Sequence, residues 1–206
     1  MAELLIATTN SAKLAEYRVL MRDFKLRLLS LQDAGINLEA SETGATFSEN
    51  ARLKATFYFA RSGLPALADD GGLEVDALGG APGVHSHRWL GATVDDRTLA
   101  EEVIKRMAGV ARAARTARLR AAAALVYAVR GVVLERVAEA ALEGIIAERC
   151  YPDIRPGFPY RSVLYLPTRG CYLAEVPEED AAIHLSQRRI IIDQLSNDLR
   201  GLAAGG

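Results

Sequence analysis

The run Thr8-Thr9-Asn10-Ser11-Ala12-Lys13 brings three hydroxyls, a carboxamide and an ammonium into six residues. It separates a short apolar run from an amphipathic one and so falls at a strand-to-helix turn. The start of a helix leaves backbone N–H groups without intrahelical partners and carries a partial positive charge, a combination suited to an anion such as phosphate. The glycines and the Gly-Lys-Ser/Thr ending of a Walker loop are absent. The same residues also read as an ordinary helix cap beside a solvated lysine, and this segment alone leaves both readings open.

A second group is Ala68-Asp69-Asp70-Gly71-Gly72. Adjacent carboxylates at the end of an apolar strand offer the hard oxygens that Mg²⁺ takes together with waters and substrate phosphates, and a carboxylate can also deprotonate a water. Gly71 and Gly72 let a ligand approach the backbone. Asp-Asp-Gly-Gly equally describes a polar turn. Glu49 has two readings as well: in Thr46-Phe47-Ser48-Glu49 it can close a capping box, or it can turn away to hold a metal opposite Asp70. His85 and His87 have no further thiol or imidazole at zinc-site spacing, so their Gly/Pro-flanked segment reads as a loop. No Gly-x-Ser-x-Gly elbow is present.

The elements that position these groups follow from periodicity and punctuation. Residues 4–7 read as a buried strand, 11–21 as a helix, and 46–61 as a helix capped by Thr46 and stopped at Ser62-Gly63. Residues 65–68 read as a strand running into the aspartates, and 95–108 as a helix. Two long apolar stretches, 115–130 and 132–149, meet at Gly131 as a hairpin. A strand at 163–166 and one amphipathic helix over about 180–202 complete a mixed α/β order.

With 206 residues, half of them hydrophobic and a quarter charged, the chain is expected to form a single domain over 1–206 rather than a disordered segment. A net charge of -1 gives no reason to expect a nucleic-acid polymer as partner. Cys150 and Cys171 are too few for a disulfide framework and are expected to be reduced. The longest apolar run, 121–129, is too short to span a bilayer, and the first residues lack the pattern of a secretory signal. A cytoplasmic protein with no membrane partner is expected.

In their order, LLIATTNSAKLAEYRVL, ETGATFSENARLKA and ALADDGGLEVDALGGAPGVHSHRWLG closely resemble the successive motifs of the inosine/xanthosine triphosphate pyrophosphatase family across residues 4–91. The likeness continues more weakly through EGIIAER, GFPYRSVLYLP, AEVPEED and SQR. It implies an α/β fold with a mixed central sheet of long strands, two lobes flanking a nucleotide-binding cleft, and a homodimer. The implied reaction is Mg²⁺-dependent hydrolysis of a purine nucleoside triphosphate such as ITP, dITP or XTP to the monophosphate and pyrophosphate. Residue by residue, the resemblance assigns Thr8, Thr9, Asn10, Ser11, Ala12 and Lys13 to the phosphate turn, Glu49 and Asp70 to the metal, Asp70 to the general base, and Asp69 to its support.

The departures lie where the family reads the base. The usual Gly-Phe-Gly-Tyr-Asp-Pro stands here as Gly157-Phe158-Pro159-Tyr160-Arg161-Ser162, keeping aromatics for stacking but replacing an acid by a base. Ser186-Gln187-Arg188 replaces Ser-His-Arg, and Gly71 stands in place of a serine. Two alternatives follow: a catalytically degenerate nucleotide-binding protein, or a pyrophosphatase of altered base specificity. A glutamine adds an acceptor that an adenine amino group can use, which weakens rejection of ATP. Gln187→His is therefore expected to raise the ratio of kcat/KM for ITP over ATP, measured by pyrophosphate release.

Overall fold

Leu4, Leu5 and Ile6 are buried in β1 (Ala2–Ile6), the unbroken apolar run expected of a strand within a parallel sheet. In this computed structural model, which describes residues 1–91 and 94–205, α1 (Ser11–Leu20) follows and returns the chain to β2 (Leu26–Leu29), parallel to β1. Helix α2 (Phe47–Ser62) then leads to β3 (Ala66–Val75), parallel to β1 on its other edge. The two crossovers travel in opposite directions across the sheet. Because such crossovers are right-handed, they set α1 and α2 on opposite faces, and the strand order reverses beside β1. Sheets of this kind bind ligands beyond the carboxyl ends of the strands at such a reversal.

Helix α3 (Asp96–Arg106) starts at an Asp95 cap that accepts from Thr98 N–H at 2.7 Å. The long hairpin is β4 (Thr116–Val129) and β5 (Val132–Ile146), turned by Arg130 and Gly131 at φ 51° and 80°. Both lie in the left-handed region, as a two-residue hairpin turn of matching twist requires. Strands β6 (Leu164–Leu166) and β7 (Cys171–Tyr172) pair antiparallel and complete a seven-stranded mixed sheet of order β2-β1-β3-β4-β5-β6-β7. The mixed α/β class and the long strands are as expected. Among the described residues no helix is long and apolar enough to cross a membrane.

Two compact units share the chain. The first comprises 1–70, 121–140 and 186–206, and the second 71–120 and 141–185. The second has its own core, with Leu73, Val75, Leu99, Met107, Tyr160 and Leu164 among the residues that close it.

Two expectations are corrected, and two strands were not foreseen. The Asp-Asp-Gly-Gly segment is neither a turn nor the end of a strand, because β3 continues through it to Val75. The short runs forming β2 and β7 gave no sequence signal strong enough to expect. The single C-terminal helix is three: α4 (Glu178–Leu185), α5 (Gln187–Gln194) and α6 (Ser196–Ala203). The first break occurs because Ser186 takes extended φ/ψ and caps α5, accepting from Arg188 N–H at 3.1 Å.

Between His85 and His87, both exposed, Ser86 is buried and ties two segments of the second unit together. Its Oγ accepts from Leu73 N–H at 3.0 Å and donates to the Gly83 carbonyl at 2.7 Å. A Cβ on Gly72 would fall 2.0 Å from that Oγ and 2.7 Å from the Gly83 oxygen. Gly72→Ala is therefore expected to lower the unfolding free energy by about 1–3 kcal/mol, measured by urea denaturation.

Candidate active site

The turn after β1 is pinned by its own side chains. Asn10 Oδ1 accepts from the N–H groups of Ala12 and Lys13 at 2.9 and 3.1 Å, and Thr8 Oγ1 accepts from Asn10 N–H at 3.2 Å. The capping arrangement is thus present, and three N–H groups expected to face an anion are satisfied within the chain. Thr9 and Ser11 stand exposed at the helix start. Lys13 is not solvated. It is 6% exposed, with Nζ 3.2 Å from Asp69 Oδ2, and burial pulls its pKa down against the opposing pull of Asp69.

Successive strand residues point to opposite faces of a sheet, so Asp69 and Asp70 cannot share a partner set. Asp69 meets groups from α1 and α5. Its Oδ2 accepts from Arg188 Nη2 at 2.7 Å and Nε at 2.9 Å, besides the contact with Lys13. Burial favours the neutral acid, but Arg188, Lys13 and Lys54 outweigh it and hold the Asp69 carboxyl well below the usual range. Arg188 Nη1 also lies 3.4 Å from Glu16 Oε2, and the Ser186 hydroxyl donates to Glu16 Oε1. Arg188, expected to read a base, is 3% exposed and turned to this ion cluster.

Asp70 meets α2. Asn50 Nδ2 donates to its Oδ2 at 3.0 Å, and Lys54 Nζ lies 3.4 Å from its Oδ1 and 2.7 Å from Glu42 Oε1. Asn50 is fully buried, and its Oδ1 accepts from Gly44 N–H at 2.8 Å, which ties the loop carrying Glu42 to the helix. Despite burial, the carboxylates of Asp70, Asp69 and Glu42 raise the Lys54 pKa above its ordinary value. Glu49 acts locally at the helix start. Its N–H donates to Thr46 Oγ1 at 3.1 Å and its exposed carboxylate accepts from Ala45 N–H at 2.7 Å.

The donor chemistry fits Mg²⁺. Asp70 and Glu42 direct oxygens at one ammonium, so a cation is already accommodated between them, and Mg²⁺ takes one or two carboxylates with the rest from water and phosphate. Among the described residues no group of three or more His, Cys, Asp or Glu converges on a metal position. Sequence reasoning missed Glu16, Glu42, Asn50 and Lys54. The available signals were spacing: Lys13 and Glu16 are three apart, and Asn50 and Lys54 four apart, each pair on one helix face.

Gln187 is buried at the first turn of α5 in the same unit. Gly71 and the 158–161 segment belong to the second unit. There Tyr160 is 4% exposed within the core and donates its hydroxyl to the Ser86 carbonyl at 2.5 Å, so it does not present the stacking face expected of it. Pro159 and Arg161 are buried too, and the Arg161 guanidinium covers the Phe158 ring at 3.9 Å from its centroid.

The strand-order reversal beside β1 and the charged groups carried by α1, α2 and β3 are the kind of arrangement found in phosphate-handling α/β enzymes. The chain belongs to the Ham1 family, which it matches over residues 4–197. It is 39% identical over 203 residues to a dITP/XTP pyrophosphatase of Geobacillus kaustophilus, covering 98% of this chain and 97% of the relative. A Methylococcus capsulatus protein of the same name is 38% identical over 203 residues, covering 98% of each chain. The structure of a HAM1 protein from Coxiella burnetii superposes with a TM-score of 0.82 at 32% identity, covering 98% of this chain and 100% of that one. The family resemblance seen in the sequence is borne out.

Because Asp69 neutralises two buried cations, its removal leaves both without their main counter-charge. Asp69→Asn is expected to cost about 3 kcal/mol or more at neutral pH in urea denaturation. The folded pKa of Asp69 is depressed below its ordinary 3.8, so its stabilisation is complete above that pH and is lost as pH falls through the lower, folded value. The stability gap between wild type and variant is accordingly expected to hold from pH 7 to about pH 5 and to narrow only in stronger acid.

Proposed function

We propose that this chain hydrolyses nonstandard purine nucleoside triphosphates, of the ITP, dITP and XTP class, to the monophosphate and pyrophosphate with Mg²⁺. The observation that carries the proposal is Asp70, held by Asn50 through one oxygen while the other shares a cation with Glu42. The names of the relatives support the substrate class. Asp70 and Glu42 would hold the metal, Glu42 taking the place that the sequence suggested for Glu49. When bound, Mg²⁺ supplies charge withdrawal from the phosphates.

Thr9, Ser11 and the α1 N-terminus offer hydroxyls and a partial positive charge to phosphate oxygens, and Lys13 adds its charge from below. With Oδ1 given to the metal, Asp70 would orient the attacking water and take its proton through Oδ2, the oxygen that Asn50 steadies, as pyrophosphate departs. Asn50 keeps the Asp70 carboxylate from rotating, and Asp69 fixes Lys13 and Arg188. Gln187, rather than the ion-paired Arg188, is the side chain proposed to meet the base. The same reading includes a homodimer located in the cytoplasm, both on the family resemblance.

The test is hydrolysis across a nucleotide panel with and without Mg²⁺, using three variants. Asp70→Asn is expected to retain the fold by circular dichroism and lose at least about a hundredfold in kcat. Turnover within a few-fold of wild type would sink the assignment. Glu42→Gln is expected to raise the Mg²⁺ concentration needed for half-maximal rate, whereas Glu49→Gln leaves that titration unchanged and alters stability by roughly 1 kcal/mol or less. The reverse pattern would return Glu49 to the metal.

A further inference from the structure

We propose that Lys54 is a built-in stand-in for the metal: its ammonium occupies the position between Glu42 and Asp70 that the divalent cation takes, and it must leave when the cation binds. The inference rests on the functional reading above and adds a competition that the reading does not contain. Lys54 comes from the second turn of α2, one turn beyond Asn50, and its side chain is 12% exposed. Its Nζ lies 2.7 Å from Glu42 Oε1 and 3.4 Å from Asp70 Oδ1. The shorter contact is a formed charge-assisted hydrogen bond, and the longer one is loose enough for the group to pivot away.

Two carboxylates converging in a partly buried place repel one another unless a positive charge lies between them. In the metal-free protein Lys54 supplies that charge. A dication and an ammonium cannot both occupy the space, so the attraction the carboxylates offer the dication is reduced by the work of displacing the ammonium. Binding of Mg²⁺ in the absence of nucleotide is therefore opposed by Lys54, and the site stays weakly metallated until a polyanion arrives to receive the displaced ammonium. The asymmetry of Asp70 serves this exchange. Oδ2 remains fixed by the buried Asn50 whichever cation is present, so the exchange disturbs only Oδ1.

The experiment titrates Mg²⁺ alone into the nucleotide-free protein by isothermal calorimetry, for wild type and Lys54→Met. The variant is expected to bind Mg²⁺ about tenfold tighter or more, and to unfold at a lower temperature than wild type in EDTA with a larger gain in Tm on adding Mg²⁺. A dissociation constant within about twofold of wild type overturns the inference. A second measurement needs no variant: acetylation of wild-type Lys54 by an N-hydroxysuccinimide ester, followed by peptide mass spectrometry, is expected to speed up several-fold when Mg²⁺ is added. An unchanged or slower rate overturns it as well. Nucleotide hydrolysis that needs no Mg²⁺ overturns the functional reading and the inference together, whereas Mg²⁺-dependent hydrolysis with unchanged affinity in Lys54→Met overturns the inference alone.

Discussion

The two-residue period of a β-strand governs the site. Asp69 and Asp70 are neighbours in sequence, and in a turn they could have faced the same ligand. In β3 they are committed to opposite faces, and the opposed crossovers of α1 and α2 then give each its own helix. One carboxylate becomes a neutraliser, closed in by Lys13 and Arg188. The other keeps one oxygen on a loosely held cation. Two identical side chains thus acquire separate roles from register alone, and a one-residue slip of β3 would exchange them.

The Asp69 cluster carries a cost that its geometry has to offset. Removing a carboxylate, an ammonium and a guanidinium from water is unfavourable by several kcal/mol for each ion, and their attraction returns this only when the contacts are short and the remaining polar atoms are satisfied. Arg188 meets Asp69 through two nitrogens on one oxygen, and Glu16 and Ser186 extend the cluster to α1 and the start of α5. Such an arrangement adds definition more than stability. It also accounts for the helix break at Ser186: the hydroxyl donates to Glu16 and also caps α5, and the capping bond is not available from within a continuous helix.

Much of this was legible in the sequence because local rules decide it. The Thr46 cap, the Gly63 stop and the Arg130-Gly131 hairpin depend on residues within a few positions of one another, and each appears as expected. The strand-to-helix turn at residues 7–11 was located correctly, but whether its N–H groups point outward depends on the Asn10 and Thr8 side chains, whose rotamers no pattern reveals. Glu49 and Glu42 show the limit more sharply. Both flank the same helix start, and the capping pattern draws attention to Glu49, yet the loop fold set by Gly44 and the buried Asn50 sends Glu42 toward Asp70. Tyr160 was hidden for a related reason: an aromatic following Gly157-Phe158-Pro159 resembles a stacking platform, and only the closing of the second core around it shows its hydroxyl bound to Ser86.

Charge balance then constrains how a polyanion can be received. Within the first unit three cations, Lys13, Lys54 and Arg188, stand among four carboxylates, Glu16, Glu42, Asp69 and Asp70. The cluster has no surplus positive charge, and the net charge of -1 adds no overall attraction for a triphosphate. Arg188 is committed to Asp69 and Glu16, and Lys13 to Asp69, so releasing either one weakens the compensation of a buried carboxylate. On the proposed function, the rest of the counter-charge for the substrate arrives with it as a metal ion. Of the three, Lys54 is the cation whose partners, Glu42 and Asp70, are the proposed metal ligands, so on that proposal it is the charge that metal binding sets free to serve the phosphates.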